Sequence, residues 1–199
     1  MGMEERPNSV ASPATPPPAP RPFLSELRFW LRDLFVAAGL AAIIIVFLYQ
    51  PVKVEGTSMV PVLTDQERIF INKFVYRLEA IQRGDIVVFW YPMDRTKSFI
   101  KRVVGLPGET VEVRRGHVWV NGKELTEPYM RPDFYDTASY PATRIPPDHY
   151  FVLGDHRSSS NDSRVWGTVE AKFIYGKAVF CYWPFDKFGS LRITPNGSP

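Results

Sequence analysis

The chain is short of the residues that usually announce chemistry. Among 199 residues there is one cysteine, Cys181, and there are three histidines, His117, His149 and His156. A lone thiol excludes an internal disulfide and leaves no second ligand for a cysteine metal or redox motif. No two histidines have metal-binding spacing, and no Gly-x-Ser-x-Gly elbow occurs. No cofactor or metal is expected. Charge of one sign is also lacking: 24 Lys and Arg against 21 Asp and Glu give a net +3, scattered along the chain. That pattern argues against nucleic acid as a partner. With 45% hydrophobic and 23% charged residues the composition is globular, enough for one well-buried domain and a tail.

Long apolar runs are absent too, with one exception. Leu34 to Val52 carries no charge over 19 residues, close to the roughly 20 needed to cross a hydrocarbon core. The sequence therefore predicts a single transmembrane helix over 34–52 and a lipid bilayer as partner. A cleaved signal peptide would have a shorter apolar region that starts earlier. Arg21, Arg28 and Arg32 precede the run and only Lys53 directly follows it. By the positive-inside rule the N-terminus stays cytoplasmic and residues 53–199 are delivered across the membrane. Residues 1–33 are expected to be a disordered tail, because the proline- and alanine-rich stretch 7–22 cannot bury enough apolar area to offset the entropy of ordering.

The remainder reads as mainly β, an antiparallel domain with a smaller β-hairpin and irregular extension over about 110–147. "DIVVFWY" (Asp85 to Tyr91), "HYFVLGD" and "YGKAVFCYW" are rich in β-branched and aromatic residues. A meander runs from Ser98 to Leu125, with turns predicted at Pro107-Gly108, Arg115-Gly116 and Asn121-Gly122. A short helix is expected near "NKFVYRLEAI", and the proline-rich residues 126–147 are expected to be irregular. No internal repeat is present.

Three segments carry candidate chemistry. "GTSMVP" places Ser58 between a glycine and a proline, where a serine is ordinarily a turn residue. "FIKRVVGLPGE" places Lys101 in an apolar strand. Alternation puts Phe99, Lys101 and Val103 on one face and Ile100, Arg102 and Val104 on the other. Such a lysine either snorkels its ammonium to water or is buried, neutral and basic enough to act near pH 7. "GDHRSSSNDSRVWG" (Gly154 to Gly167) is a polar loop with Asp and Arg pairs. A nucleophilic serine needs a base within hydrogen-bond reach, yet His117 falls in the meander and His149 precedes a strand.

Together the three segments resemble the type I signal peptidases (leader peptidases), whose Ser-Met-x-Pro, Lys-Arg-Val-x-Gly-x-Pro-Gly and Gly-Asp-x-Arg-x-x-Ser-x-Asp-Ser-Arg motifs follow a membrane anchor in this order. "RGDIVVF" at Arg83 to Phe89 matches a further segment. The resemblance implies a membrane-anchored serine endopeptidase whose partners are the signal peptides of secreted preproteins, cut after small residues in an Ala-x-Ala pattern. Its catalytic residues would be Ser58 as nucleophile and Lys101 as general base, with Arg102 structural. Ser160 would orient the lysine amine, Asp162 and Arg164 would form a supporting ion pair, and Val54 and Ile100 would line the substrate pockets.

The resemblance is imperfect at two places. A hydroxyl two residues before the nucleophile serves some family members as an oxyanion donor, and here that position is Gly56. Thr57 and a backbone group are the alternatives. His156 replaces a common asparagine, and an imidazole there is expected to add an ionisation to the activity profile. Two rival readings are a non-catalytic anchored β-domain, and a self-cleaving Ser/Lys regulator, which would need an N-terminal DNA-binding domain in place of the proline-rich tail.

Overall fold

The computed structural model describes residues 23–191; the proline-rich segment 7–22 lies outside the described residues. The chain divides into two compact units, one up to Ala42 and one from Ile43 onward. Helix α1 spans Phe23–Leu48. It begins well before Leu34 because "FLSELRFWLRDL" is dominated by leucine, glutamate, arginine and aromatics with no Gly or Pro to interrupt it. Residues 23–33 are therefore helical, not a disordered continuation of the tail. The helix stops where Pro51 approaches, since proline cannot supply the helical N–H and disfavours helical backbone before it. Tyr49–Lys53 form strand β1 instead. The helix expected over 34–52 is corrected on both sides, and among the described residues no helix is long and apolar enough to cross a membrane.

The second unit is mainly β and antiparallel throughout. After β1 come β2 (Arg68–Asn72), the one-turn helix α2 (Val75–Leu78), β3 (Ile86–Tyr91) and the long β4 (Asp94–Gly105). β5 (Thr110–Arg114), β6 (His117–Val120), β7 (Lys123–Glu124) and β8 (Tyr140–Arg144) follow. Next are β9 (His149–Leu153), helix α3 (Ser163–Trp166), β10 (Val169–Glu170), β11 (Ile174–Trp183) and β12 (Gly189–Ser190). The large sheet has the order β1-β2-β11-β3-β4-β9-β10, with β12 beside β11. The small sheet has the order β7-β6-β5-β8.

The turns follow their chemistry. Arg115-Gly116 and Asn121-Gly122 link β5 to β6 and β6 to β7, and all four residues have positive φ, as two-residue type I′ hairpins require. The proline-rich excursion is more ordered than its composition suggests. Tyr140–Arg144 pairs with β5 at the edge of the small sheet, an edge position where the N–H missing from Pro141 costs little.

Three apolar clusters hold the domain. Val104, Phe151 and Leu153, from β4 and β9 of the large sheet, pack against Val111, Val113 and Val118, from β5 and β6 of the small sheet, together with Ile145. Val54, Met59, Leu63, Ile69, Ile86 and Cys181 pack beneath the segment carrying Ser58. Val87, Phe89, Val103, Val152, Val169 and Ile174 fill the other side of the large sheet. Strand β4 passes among all three, and its last five residues, Lys101 to Gly105, are all buried.

Candidate active site

Ser58 sits on a compact turn that follows β1. Gly56 opens the turn at φ +89, a conformation that favours glycine. Its N–H donates to the Asp65 carboxylate at 2.8 Å. Val60 N–H donates to Thr57 O at 3.1 Å and Leu63 N–H to Met59 O at 2.9 Å. Val54, Met59 and Leu63 are buried in the cluster below, so the turn is pinned by apolar anchors on either side of its polar crest.

Lys101 reaches this turn from β4. Its Nζ lies 2.7 Å from Ser58 Oγ and 2.9 Å from Ile100 O, and the residue is only 4% exposed. The contact to Ser58 spans 43 residues of sequence. Burial pushes the ammonium down from an ordinary 10.5 to about 8, although the charges of Asp162 and Asp155 oppose the shift. The side chain thus follows the buried and not the snorkelling alternative.

The loop after β9 closes the site. His156 N–H donates to Ser58 O at 3.0 Å, and Gly154 packs so closely that a Cβ there would stand 2.5 Å from Ser58 O and 2.2 Å from Ser160 Oγ. Glycine is required by that approach. Ser160 is thereby brought beside the serine turn, but its Oγ is shielded without a hydrogen-bond partner; the bond expected from it to the lysine amine is not formed. Asp162 and Arg164 do pair. Asp162 is fully buried and its carboxylate accepts from Arg164 Nε at 2.8 Å and from Gly154 N–H at 3.1 Å. Arg164 also donates to Asp136 at 2.6 Å and to Arg157 O at 2.7 Å. The His156 ring meets Phe134 edge-on at 4.9 Å, and its Nδ1 is buried without a partner.

Val54 and Ile100 line the same cleft as Ser58 and Lys101, a depression of about 320 Å³ that also includes Val52, Val88, Ser98 and Tyr175. Four successive antiparallel pairings, β1/β2, β2/β11, β11/β3 and β3/β4, make β1 and β4 run in the same direction on its two sides. Among the described residues both present an unpaired edge. β1 ends the sheet, and β4 pairs with β9 only from Arg102 onward. Such edges accept an extended peptide through main-chain hydrogen bonds. Among the described residues no group of His, Cys, Asp and Glu could hold a metal ion.

Sequence reasoning missed a buried ionic network behind the site. Arg102 Nε and NH2 donate to Asp155 at 2.8 and 2.6 Å, and Arg102 NH1 donates to Gly84 O at 2.9 Å. The guanidinium lies 3.9 Å over the Tyr129 ring. Tyr129 Oη donates to Glu127 at 2.5 Å, and Glu127 in turn pairs with Arg157. Burial is the largest influence and opposes the Arg102 charge, yet Asp155, with Tyr129 and Glu127 behind it, holds the guanidinium above its ordinary value. Asp155 and Arg157 stood inside a quoted motif, but Glu127 and Tyr129 lie in the proline-rich excursion, where no pattern marks them.

Comparison with known proteins gives the chain a family. Residues 27–183 match the family model described as signal peptidase, peptidase S26. The chain is 38% identical over 185 residues to a probable signal peptidase I-1 of Synechocystis, covering 89% of this chain and 91% of that one. It is 39% identical over 166 residues to a signal peptidase I of Bacillus caldolyticus, covering 77% and 90%. A crystal structure of a signal peptidase I from Enterococcus faecalis is 34% identical with a TM-score of 0.43, covering 50% of this chain and 97% of the other.

Proposed function

Since this chain belongs to the signal peptidase family, peptidase S26, whose members are serine endopeptidases, we propose that it removes signal peptides through a Ser58/Lys101 dyad. The observation that carries the reading is the 2.7 Å approach of Lys101 Nζ to Ser58 Oγ in a site that disfavours the ammonium. A neutral amine there takes the hydroxyl proton as Ser58 Oγ attacks the scissile carbonyl. The protonated lysine then returns the proton to the leaving amine, and water enters to hydrolyse the acyl-enzyme by the same base. Ser58 N–H has no hydrogen-bond partner among the described residues, which leaves it free to stabilise the oxyanion. Thr57 Oγ1 lies 3.4 Å from Ser159 Oγ on the exposed crest of the turn and is the candidate second donor in place of a hydroxyl at Gly56.

The substrate arm upstream of the cut lies in the cleft as an added strand. Val54 and Ile100 narrow the floor beside the dyad, so branched side chains exclude large residues at the first and third upstream positions and favour an Ala-x-Ala site. Ser160 acts on the amine only if its hydroxyl turns toward Lys101 during the reaction. Anchoring to a membrane through the apolar part of α1, from Leu34 to its end at Leu48, completes the reading, with the N-terminus cytoplasmic and the strands on the opposite side. It is supported by Leu34, Phe35, Val36, Leu40, Ile43 and Ile44, all more than half exposed on α1.

The test uses purified full-length chain in detergent and a preprotein with an Ala-x-Ala site. Ser58→Ala and Lys101→Ala are each expected to lower kcat by about 10⁴-fold or more. Cleavage persisting in either variant at near the parental rate would remove the dyad.

A further inference from the structure

The cleft continues past the dyad to a pair of aromatic rings that the proposed chemistry leaves without a role. Trp90 stands opposite Ser98 in the β3/β4 pairing, as Val88 stands opposite Ile100. Partners across a ladder share a sheet face, so Val88, Trp90, Ser98 and Ile100 all point to the side of the cleft. The Trp90 ring lies against Tyr175, centroids 4.8 Å apart at 33°. Tyr175 and Ser98 themselves line the cleft that contains Ser58 and Lys101. Trp90 is 42% exposed, so a large apolar face lies open at the end of the groove away from the dyad.

Strand geometry says which substrate residue meets it. A peptide along the free edge of β4 advances roughly 3.3 Å per residue and alternates its side chains between the sheet and solvent. With the first and third upstream residues facing the floor, the fifth faces it as well, about 13 Å from the scissile bond. From Lys101 back to Ser98 the strand itself covers about 10 Å, and the Trp90 ring stands opposite Ser98. We propose that Trp90 and Tyr175 form a subsite for the fifth residue upstream of the cut, and that this subsite takes an apolar side chain. None of Val88, Trp90, Ser98 or Tyr175 carries a charge, in contrast to Lys53, Glu55 and Lys101 elsewhere in the cleft, so an acidic or basic group placed against these four loses water without gaining an ionic partner from them. Small-residue exclusion near the dyad and an apolar contact farther out would together set where a substrate is cut, since the second contact fixes the register of the first.

This inference rests on the endopeptidase reading, and the experiment separates the two. Peptides with alanine at the first and third upstream positions carry Leu, Phe, Ala or Asp at the fifth, and one further peptide ends after the fourth. The full chain in detergent is expected to cleave the Leu and Phe peptides with kcat/KM about tenfold above the Asp peptide. Trp90→Ala is expected to lower the Leu peptide at least about fivefold more than the truncated one. Trp90→Lys is expected to reverse the order and favour Asp, a gain that a misfolded enzyme could not produce. Equal rates for Leu and Asp in the parent chain, an unchanged order in Trp90→Lys, or equal losses on long and truncated peptides in Trp90→Ala would each overturn the subsite. No cleavage of any peptide by the parent chain would instead bring down the endopeptidase reading, and the subsite with it.

Discussion

The two faces of β4 hold adjacent buried cations and treat them in opposite ways. Among the described residues Lys101 has no carboxylate within hydrogen-bond reach; it hydrogen-bonds to Ser58 Oγ and a carbonyl and lies 5.3 Å from the Phe99 ring centroid, and burial drives it toward neutrality. Arg102, one residue on, is 1% exposed and yet held firmly charged, because Asp155 grips it with two hydrogen bonds and Tyr129 covers its plane. A guanidinium satisfies several acceptors at once and does not give up its proton, whereas a primary amine on a flexible stem can. The difference teaches that burial alone does not make a base. Burial without a hydrogen-bonded counterion makes one, and burial with one makes a strut.

That contrast can be broken most forcefully from the Arg102 side. Arg102→Met leaves Asp155 charged and buried with no partner, and is expected to cost about 3–5 kcal/mol in urea unfolding. A loss below about 1 kcal/mol would show that water reaches Asp155. The Lys101 side should respond with the opposite sign. Lys101→Met removes a buried amine, so it should abolish cleavage while raising folding stability at pH 7 by up to about 3 kcal/mol. The sign follows from proton counting. Between about 8 and 10.5 the unfolded chain binds the lysine proton and the folded chain does not. The parent chain therefore gains stability as pH rises through that window, and Lys101→Met should lack the gain.

The smallest effect sharpens the comparison by moving the base itself. For the parent chain, kcat/KM should climb with pH and level off near 8, where Lys101 loses its proton. Asp162 holds the lysine value up, second only to the opposing effect of burial. Asp162→Asn should therefore shift the acid limb to lower pH in whatever fraction remains folded. A limb that stayed in place would mean that Asp162 is screened from the amine.

Much of this was legible beforehand, for identifiable reasons. The strands of the large sheet announce themselves through β-branched and aromatic runs such as "DIVVFWY", and the hairpins through Asn121-Gly122 and Arg115-Gly116. The candidate dyad was legible because both residues sit in short segments whose order is distinctive. The limits of α1 were not, because an uncharged run says where a helix could lie in lipid and not where backbone chemistry ends it: Pro51 does that. Strand β8 was hidden because a single edge pairing to β5 orders a segment whose composition favours none. The burial of the Ser160 hydroxyl without a hydrogen-bond partner is a matter of side-chain placement, which no pattern of residue types records.

By itself the sequence determined the antiparallel β character, the turn positions and the alternation that sends Lys101 and Arg102 to opposite faces, since each depends only on local backbone preference and a period of two. Tertiary structure decided what those faces became. It brought Ser58 to Lys101 across the chain, let Gly154 admit the loop against Ser58 O, and gave Asp155 two hydrogen bonds to Arg102 and none to Lys101. Proton affinity depends on what surrounds a charge in space, and that is settled only when the sheets and loops have packed.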